Sequence, residues 1–223
     1  MLMNTGEHPV ISRHRLLATA AWRVNGQMVY ALEGSAFIAG AMVQWLRDGL
    51  GLISASEEIE GLARSVPSSD GVVVVPSLSG LGAPHWNPAA RGVLWGVTRG
   101  TRSAHIARAI LEGIALQNVD ILRAMERDLG KPLTSLRVDG GASANDLLMQ
   151  MQADFLNREI IRPQMTDTTA LGAAMLAGLG AGIFQDLEQI RETWREDRRF
   201  HPSMSEERRQ EHLALWSEGL ARV

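Results

Sequence analysis

The sequence predicts an α/β layered domain opened by an antiparallel hairpin. Three observations carry that reading. Short β-branched runs alternate with longer stretches whose apolar residues recur at helical spacing. Asn25-Gly26 lies between two apolar runs and supplies the positive φ angles that a two-residue hairpin turn needs. Two strand-like segments, ending near Gly100 and Gly140, pass through glycine straight into a helical pattern.

Taken in order, Leu16–Leu32 reads as a hairpin around Asn25-Gly26. Phe37, Ile38, Ala41, Met42, Trp45 and Leu46 then share one helical face, with Ser35 as N-cap and Gly49 or Gly51 as the stop. Residues 56–65 form a short helix. Gly71–Ser77 holds four consecutive valines, which suits a strand buried on both faces. Leu78–Gly92 is a long shaped loop rich in glycine and proline, and Val93–Val97 is a strand. From Ser103 to about Asp128, Ile106, Ile110, Ile114, Gln117, Ile121 and Met125 form one stripe; Gly130 ends this helix and Pro132 follows. A strand leading into Gly140, a helix from about Ala144 to Leu156 and a strand at Glu159–Pro163 come next. Thr169–Phe184 is mostly alanine and glycine. It is shorter than the ~20 residues a membrane span needs, so a buried, tightly packed helix is expected. The charged end is helical after His201-Pro202, and its Arg and Glu residues read as a solvated face.

Composition bounds the function. The 223 residues are 45% hydrophobic and 21% charged, enough apolar side chain for a sizeable core. A net charge of -3 and a pI near 6.1 speak against nucleic-acid binding. Cysteine is absent, which excludes disulfides, thiolate metal sites and a cysteine nucleophile, and fits a reducing cytoplasm. The six histidines are scattered without metal-ligand spacing, and the N-terminus has no signal-peptide pattern.

Gly140 and Gly141 stand where a strand ends and a helix begins, with Asn145 one turn further on. Ligands bind at such strand ends in open α/β sheets, and a helix N-terminus offers free N–H groups. Missing Cβ atoms let a ribose or phosphate approach the backbone. A plain tight turn is the alternative. Gly100 repeats the arrangement, so the two junctions are expected to form two walls of one nucleotide pocket. No GxxxxGK[ST] phosphate loop is present. Asp139, Glu112 and Glu33 are the obvious carboxylates, but none has a partner at acid–base spacing. Structural roles are expected for them, as for His85 and His105. The residues read as a nucleotide-binding domain with no catalytic or metal-binding side chain of its own.

Several longer stretches add a resemblance. They are "MLMNTGE" (Met1–Glu7), "YALEGSAFIAGAMVQWLRD" (Tyr30–Asp48), "GLGAPHWNPAARG" (Gly80–Gly92), "GVTRG" (Gly96–Gly100), "RVDGGASAN" (Arg137–Asn145) and "TALGAA" (Thr169–Ala174). Over nearly its whole length the chain resembles the C-terminal half of the glycerol kinase branch of the FGGY carbohydrate kinases. The resemblance implies a three-layer α/β/α domain of the actin-like ATPase (ribonuclease H-like) fold with a mixed sheet. It implies an ATP site at Gly100, Gly140, Gly141 and Asn145, with Ala104 where the family carries a polar side chain. ATP and Mg²⁺ are the implied cofactors, and phosphorylation of glycerol to glycerol 3-phosphate the implied reaction. Most glycerol contacts, the catalytic Asp and a Gly-Thr-Gly phosphate turn would belong to a domain preceding Met1. Two alternatives stand beside this: half of another sugar or polyol kinase of the group, or a nucleotide-binding fragment without activity. A first strand that starts abruptly also leads us to expect self-association.

Overall fold

One long helix organises the domain. The computed structural model describes residues 1–223. Helix α3 (Ser103–Leu129) opens with a side-chain cap, in which His105 Nδ1 accepts the Arg102 N–H at 3.0 Å. It closes on Gly130, whose φ of 71° is the left-handed C-cap that glycine adopts without penalty. The expected stripe is its buried face: Ile110, Ile114, Gln117, Ile121 and Met125 are buried, and Gln117 donates to the Ile38 carbonyl at 2.8 Å.

The second half of α3 carries an antiparallel sheet of β1 (Leu2–Gly6), β3 (Gln27–Glu33) and β2 (Leu17–Val24), in the order β1-β3-β2. Met3, Leu16 and Leu32 pack there on Ile121, Ala124 and Met125. The β2–β3 turn is Asn25-Gly26 with φ of 50° and 80°, between the paired Val24 and Gln27. β1 pairs only with β3, so its other edge is free, and Leu2 is 66% exposed.

The first half of α3 lies under α1 (Gly40–Asp48), α2 (Glu58–Arg64) and α4 (Asp146–Leu156), and against β4 (Val73–Val75), which pairs with β5 (Val93–Trp95). All three β4 valines are buried. α3 covers one face of β4, and α7 (Glu206–Leu220) covers the other through Gly219, against Val73 and Val75. The mixed sheet is β6 (Ser135–Arg137), β7 (Glu159–Pro163) and β8 (Glu196–Phe200): β6 runs parallel to β7, and β8 antiparallel. Helices α5 (Thr168–Gly180) and α6 (Leu187–Arg191) connect β7 to β8.

Three expectations are corrected. Ser35 does not cap α1. Its carbonyl accepts the Ala83 N–H at 2.8 Å, which holds residues 35–39 out of the helix until Gly40. The alanine/glycine helix α5 is not buried: only Gly178 is, and Leu176 is 46% exposed. Its residues are apolar on every side, so hydropathy signals a need for cover without locating any; within this chain no element packs broadly on it. Third, the charged end holds a strand that its sequence does not lead one to expect, while the Glu and Arg residues of its helix lie mostly at the surface as expected. Glu196–Phe200 is an edge strand, and α7 docks through Leu213 and Trp216. No helix is long and apolar enough to cross a membrane.

The β1–β2 loop is fastened to the far end of α3 by one carboxylate. Asp128 accepts the Ser12 hydroxyl, the Arg13 N–H at 2.8 Å and His14 Nδ1 at 2.8 Å. Burial pushes the Asp128 carboxyl upward, but these donors together hold it below its ordinary value. A carboxyl depressed in the fold stabilises it fully above its unfolded pKa of about 3.9 and loses that contribution as pH falls through the lower folded value. The loop is therefore expected to resist limited proteolysis at neutral pH and to be released only below about pH 4. Asp128→Asn, which cannot accept from all three donors, should be cut already at pH 7. Equal cleavage rates for the two proteins at pH 7 would remove this role from Asp128.

Candidate functional site

The glycine turn after β6 is built from both sides. Val138 N–H bonds to the Ile161 carbonyl at 3.0 Å and Gly140 N–H to the Thr166 carbonyl at 2.8 Å, carrying the chain past the end of the sheet. Asp139 accepts the Thr168 hydroxyl at the start of α5. Gly140 has φ 79°, so the turn itself requires glycine there. Gly141 does not have a positive φ, and a Cβ on it would meet no atom within 4 Å. Architecture thus explains the first glycine and leaves the second unexplained. Gly141–Ala144 forms a single 3-10 turn, held from below by Arg162, which donates to the Ser143 carbonyl at 2.8 Å and to Asp146 at 2.9 Å. Burial pulls the Arg162 pKa down, but Asp197 and Asp146 more than offset it, and the guanidinium stays charged.

Asn145 is the N-cap of α4, not a residue one turn inside it. Its Oδ1 accepts the Leu148 N–H at 2.8 Å, leaving Nδ2 to donate elsewhere. The free N–H groups expected at this helix start are also taken. Glu60, reaching across from α2, accepts the Asp146 N–H at 3.1 Å and the Leu147 N–H at 3.2 Å. A carboxylate satisfies a helix N-terminus as well as a phosphate does.

Gly141 and Asn145 open onto a cavity of about 390 Å³ between this turn and the α1–α2 segment. Val43, Ile59, Leu111, Ile114 and Leu148 give it apolar walls. Gln44, Ser56, Glu57, Glu60 and Asn145 supply polar atoms, and Gly40 adds a second bare stretch of backbone, with no atom within 4 Å of its would-be Cβ. An apolar slot with a few polar groups at its edge suits a planar ring carrying hydroxyl-bearing substituents.

Gly100 and Ala104 do not line this cavity. Gly100 sits on an exposed loop after β5, which pairs with β4 in a sheet separate from β6. Ala104 is 6% exposed in the first turn of α3. α3 reaches the cavity first at Leu111, seven residues beyond Ala104 (111 − 104), or about 10 Å along the helix. The two glycine junctions are therefore not two walls of one pocket. The spacing sought at Gly100 and Ala104, a glycine with a polar side chain four residues on, occurs on the cavity at Gly40 and Gln44 of α1. The segment "GAMVQ" carries that pattern, but α1 follows a hairpin and no strand-to-glycine junction marks it. Glu60 left no local signal at all.

The other singled-out groups are committed elsewhere. Glu112 pairs with Arg108 at 3.2 Å, and His85 Nε2 meets Asp120 at 3.0 Å. No group of three or more His, Asp or Glu side chains is placed to hold a metal ion.

The sequence model of the FGGY family of carbohydrate kinases, C-terminal domain, matches residues 1–181. Glycerol kinase of Aromatoleum aromaticum is 60% identical over 223 residues, covering all of this chain and 45% of that protein. Glycerol kinase of Bdellovibrio bacteriovorus is 57% identical over 224 residues, again covering 100% and 45%. The chain thus spans less than half the length of the curated relatives it matches. Among solved structures, that of Plasmodium falciparum glycerol kinase with ADP superposes with a TM-score of 0.88 at 37% identity, over 99% of this chain and 44% of that one. Gluconate kinase from Lactobacillus acidophilus superposes with a TM-score of 0.78 at 24% identity, a likeness of fold.

Proposed function

Because the chain belongs to the FGGY family of carbohydrate kinases, as its C-terminal domain, we propose that it is the ATP-binding half of a glycerol kinase. Its fold is the actin-like ATPase fold of those kinases. The observation that carries the proposal is the cavity on which Gly141 and Asn145 meet Gly40 and Gln44, in a chain whose relatives at 57–60% identity are glycerol kinases. The base would lie between Val43, Ile59, Leu111, Ile114 and Leu148. The ribose would pass over the bare backbone of Gly141, within reach of Asn145 Nδ2 and Gln44. Gly100, Gly140 and Ala104, outside the cavity lining, are not assigned ligand contacts.

The reaction in the complete enzyme is transfer of the γ-phosphoryl group to a terminal hydroxyl of glycerol. Such catalysis is mostly positioning and electrostatics. This chain's part is to bind and orient the nucleotide. Mg²⁺ usually keeps several waters and is held by one or two carboxylates together with the substrate phosphates. With no cluster of three ligands here, it would arrive with the nucleotide. The exposed apolar helix α5 fits the same reading: a helix apolar all round needs a neighbour, and a second domain would supply one. The reading places the protein in the cytoplasm, where ATP and glycerol meet. Half of another FGGY polyol kinase is the second reading; the identity to glycerol kinases favours the first.

Isothermal calorimetry with ADP tests the site. Wild type is expected to bind, and Gly141→Val to lose at least about a hundredfold in affinity, since the branched side chain would fill space the ribose needs. The ordinary φ and open surroundings of Gly141 mean that the variant should fold. Equal ADP affinity in the two proteins, with matching circular dichroism, would refute the placement.

A further inference from the structure

We propose that Glu60 is the positioning residue of this cavity: it locks the glycine turn to the α1–α2 wall and keeps phosphate away from the α4 N-terminus. The inference deepens the nucleotide reading and rests on it. Glu60 belongs to α2, yet its two carboxylate oxygens accept N–H groups from Asp146 and Leu147 of α4, at 3.1 and 3.2 Å. Residues 60 and 146 are far apart in sequence; Glu60 lines the cavity from α2, and Asn145 and Leu148, which flank the two bonded amides, line it from α4. The carboxylate is itself fixed by Arg64, at 2.8 Å, on the same helix. Its neighbour Ile59 is 2% exposed and lines the cavity. Any shift of α2 would therefore carry both the apolar wall and the turn that presents Gly141 and Asn145.

The same bonds settle which part of a nucleotide the cavity takes. A helix N-terminus attracts phosphate through unpaired N–H groups and partial positive charge. Here two of those donors are occupied by a carboxylate, and Asn145 takes a third. Asp146 adds a second carboxylate in the first turn, matched by Arg162 and Arg198. Glu57, exposed at the cavity, adds a further negative charge. A phosphate group entering here would displace one anion beside others. The cavity thus selects the uncharged nucleoside portion and directs the phosphates outward.

The test uses ¹⁵N-labelled full chain as wild type, Glu60→Ala, Glu60→Gln, and Ser205→Ala as a control. Ser205 caps α7, which lies outside the cavity, so its loss reports general destabilisation. In Glu60→Ala, hydrogen-exchange protection at the Asp146 and Leu147 amides should fall about tenfold while α7 is unchanged. Glu60→Gln, which keeps an acceptor, should retain part of it. Inorganic phosphate should shift those two amide signals in both Glu60 variants and not in wild type. ADP affinity should fall in Glu60→Ala, recover partly in Glu60→Gln and stay unchanged in Ser205→Ala. Unchanged protection, a phosphate response in wild type at these amides, or equal ADP affinity in Glu60→Ala would each overturn the proposal. A wild-type chain that binds no ADP would instead overturn the nucleotide reading, and the two nucleotide-free measurements would still decide whether Glu60 locks the turn.

Discussion

Given ATP, Mg²⁺ and glycerol, this chain by itself is expected to form no glycerol 3-phosphate above a protein-free blank. The side chains on the cavity explain why. A proton acceptor must lie within hydrogen-bond reach of the attacking hydroxyl, and its absence alone costs ~10²–10⁴-fold. The cavity offers two carboxylates. Glu60 is spent on the α4 N–H groups, and Glu57 stands on the wall assigned to the nucleoside. No cluster of acidic side chains elsewhere is placed to hold a metal ion on its own. Joined to the N-terminal half of a glycerol kinase, such as the relative 60% identical to it, the chain is expected to turn over, because that half would supply the proton acceptor and phosphate turn that the resemblance assigns to it. The fusion carrying Gly141→Val should lose that activity while keeping glycerol binding. A coupled assay for glycerol 3-phosphate on the three samples decides the matter. Turnover by the chain alone would end the proposed division of labour. A folded fusion that binds both substrates without turnover would show that this half no longer supports the reaction.

Gly113→Ala is expected to be strongly destabilising although it adds only one methyl group. Gly113 lies in the buried first half of α3, where the helix backbone touches β4. A Cβ there would overlap the Val74 carbonyl oxygen, with Pro76 Cδ at 3.5 Å beyond it. The clash is with backbone, so no rotamer relieves it; α3 and β4 must separate. Overpacking of a rigid core costs about 3 kcal/mol, which for a chain of this length lowers Tm by about 10 °C. The loss should also weaken nucleotide binding, since Leu111 and Ile114 flank Gly113 on the cavity side of the same helix. Gly61→Ala is the matched control. That glycine sits inside α2 with nothing within 4 Å of its would-be Cβ, so alanine should stabilise by about 0.5–1 kcal/mol. Thermal unfolding of both variants checks the pair, and a Gly113→Ala protein melting with wild type would show that α3 and β4 are less tightly seated than described.

Much of the fold was legible because local chemistry dictates local backbone. Asn25-Gly26 takes the two positive φ angles a hairpin turn demands, and its flanking apolar runs became β2 and β3. The stripe from Ile106 to Met125 and the stop at Gly130 marked α3, since a helix buries what recurs at its own period. The valines of β4 announced burial on both faces, and the strand–glycine–helix order located the turn at Gly140-Gly141. Which surfaces meet is a different matter. Gly100 and Gly141 follow similar junctions, but β5 and β6 lie in separate sheets, and only the second junction faces α1. Gly40 and Gln44 became part of the cavity through packing of α1 on α3, and Glu60 through a hydrogen bond between helices distant in sequence. β8 has no clear signature in the sequence, because four of its five residues are exposed and a charged edge strand lacks the alternation that marks a half-buried one. α5 read as buried because hydropathy records only what a segment would gain by leaving water. Periodicity and turn chemistry are properties of a few neighbouring residues; the choice of partner depends on how whole faces fit, and that was decided only when α3 brought two small sheets and four helices around itself.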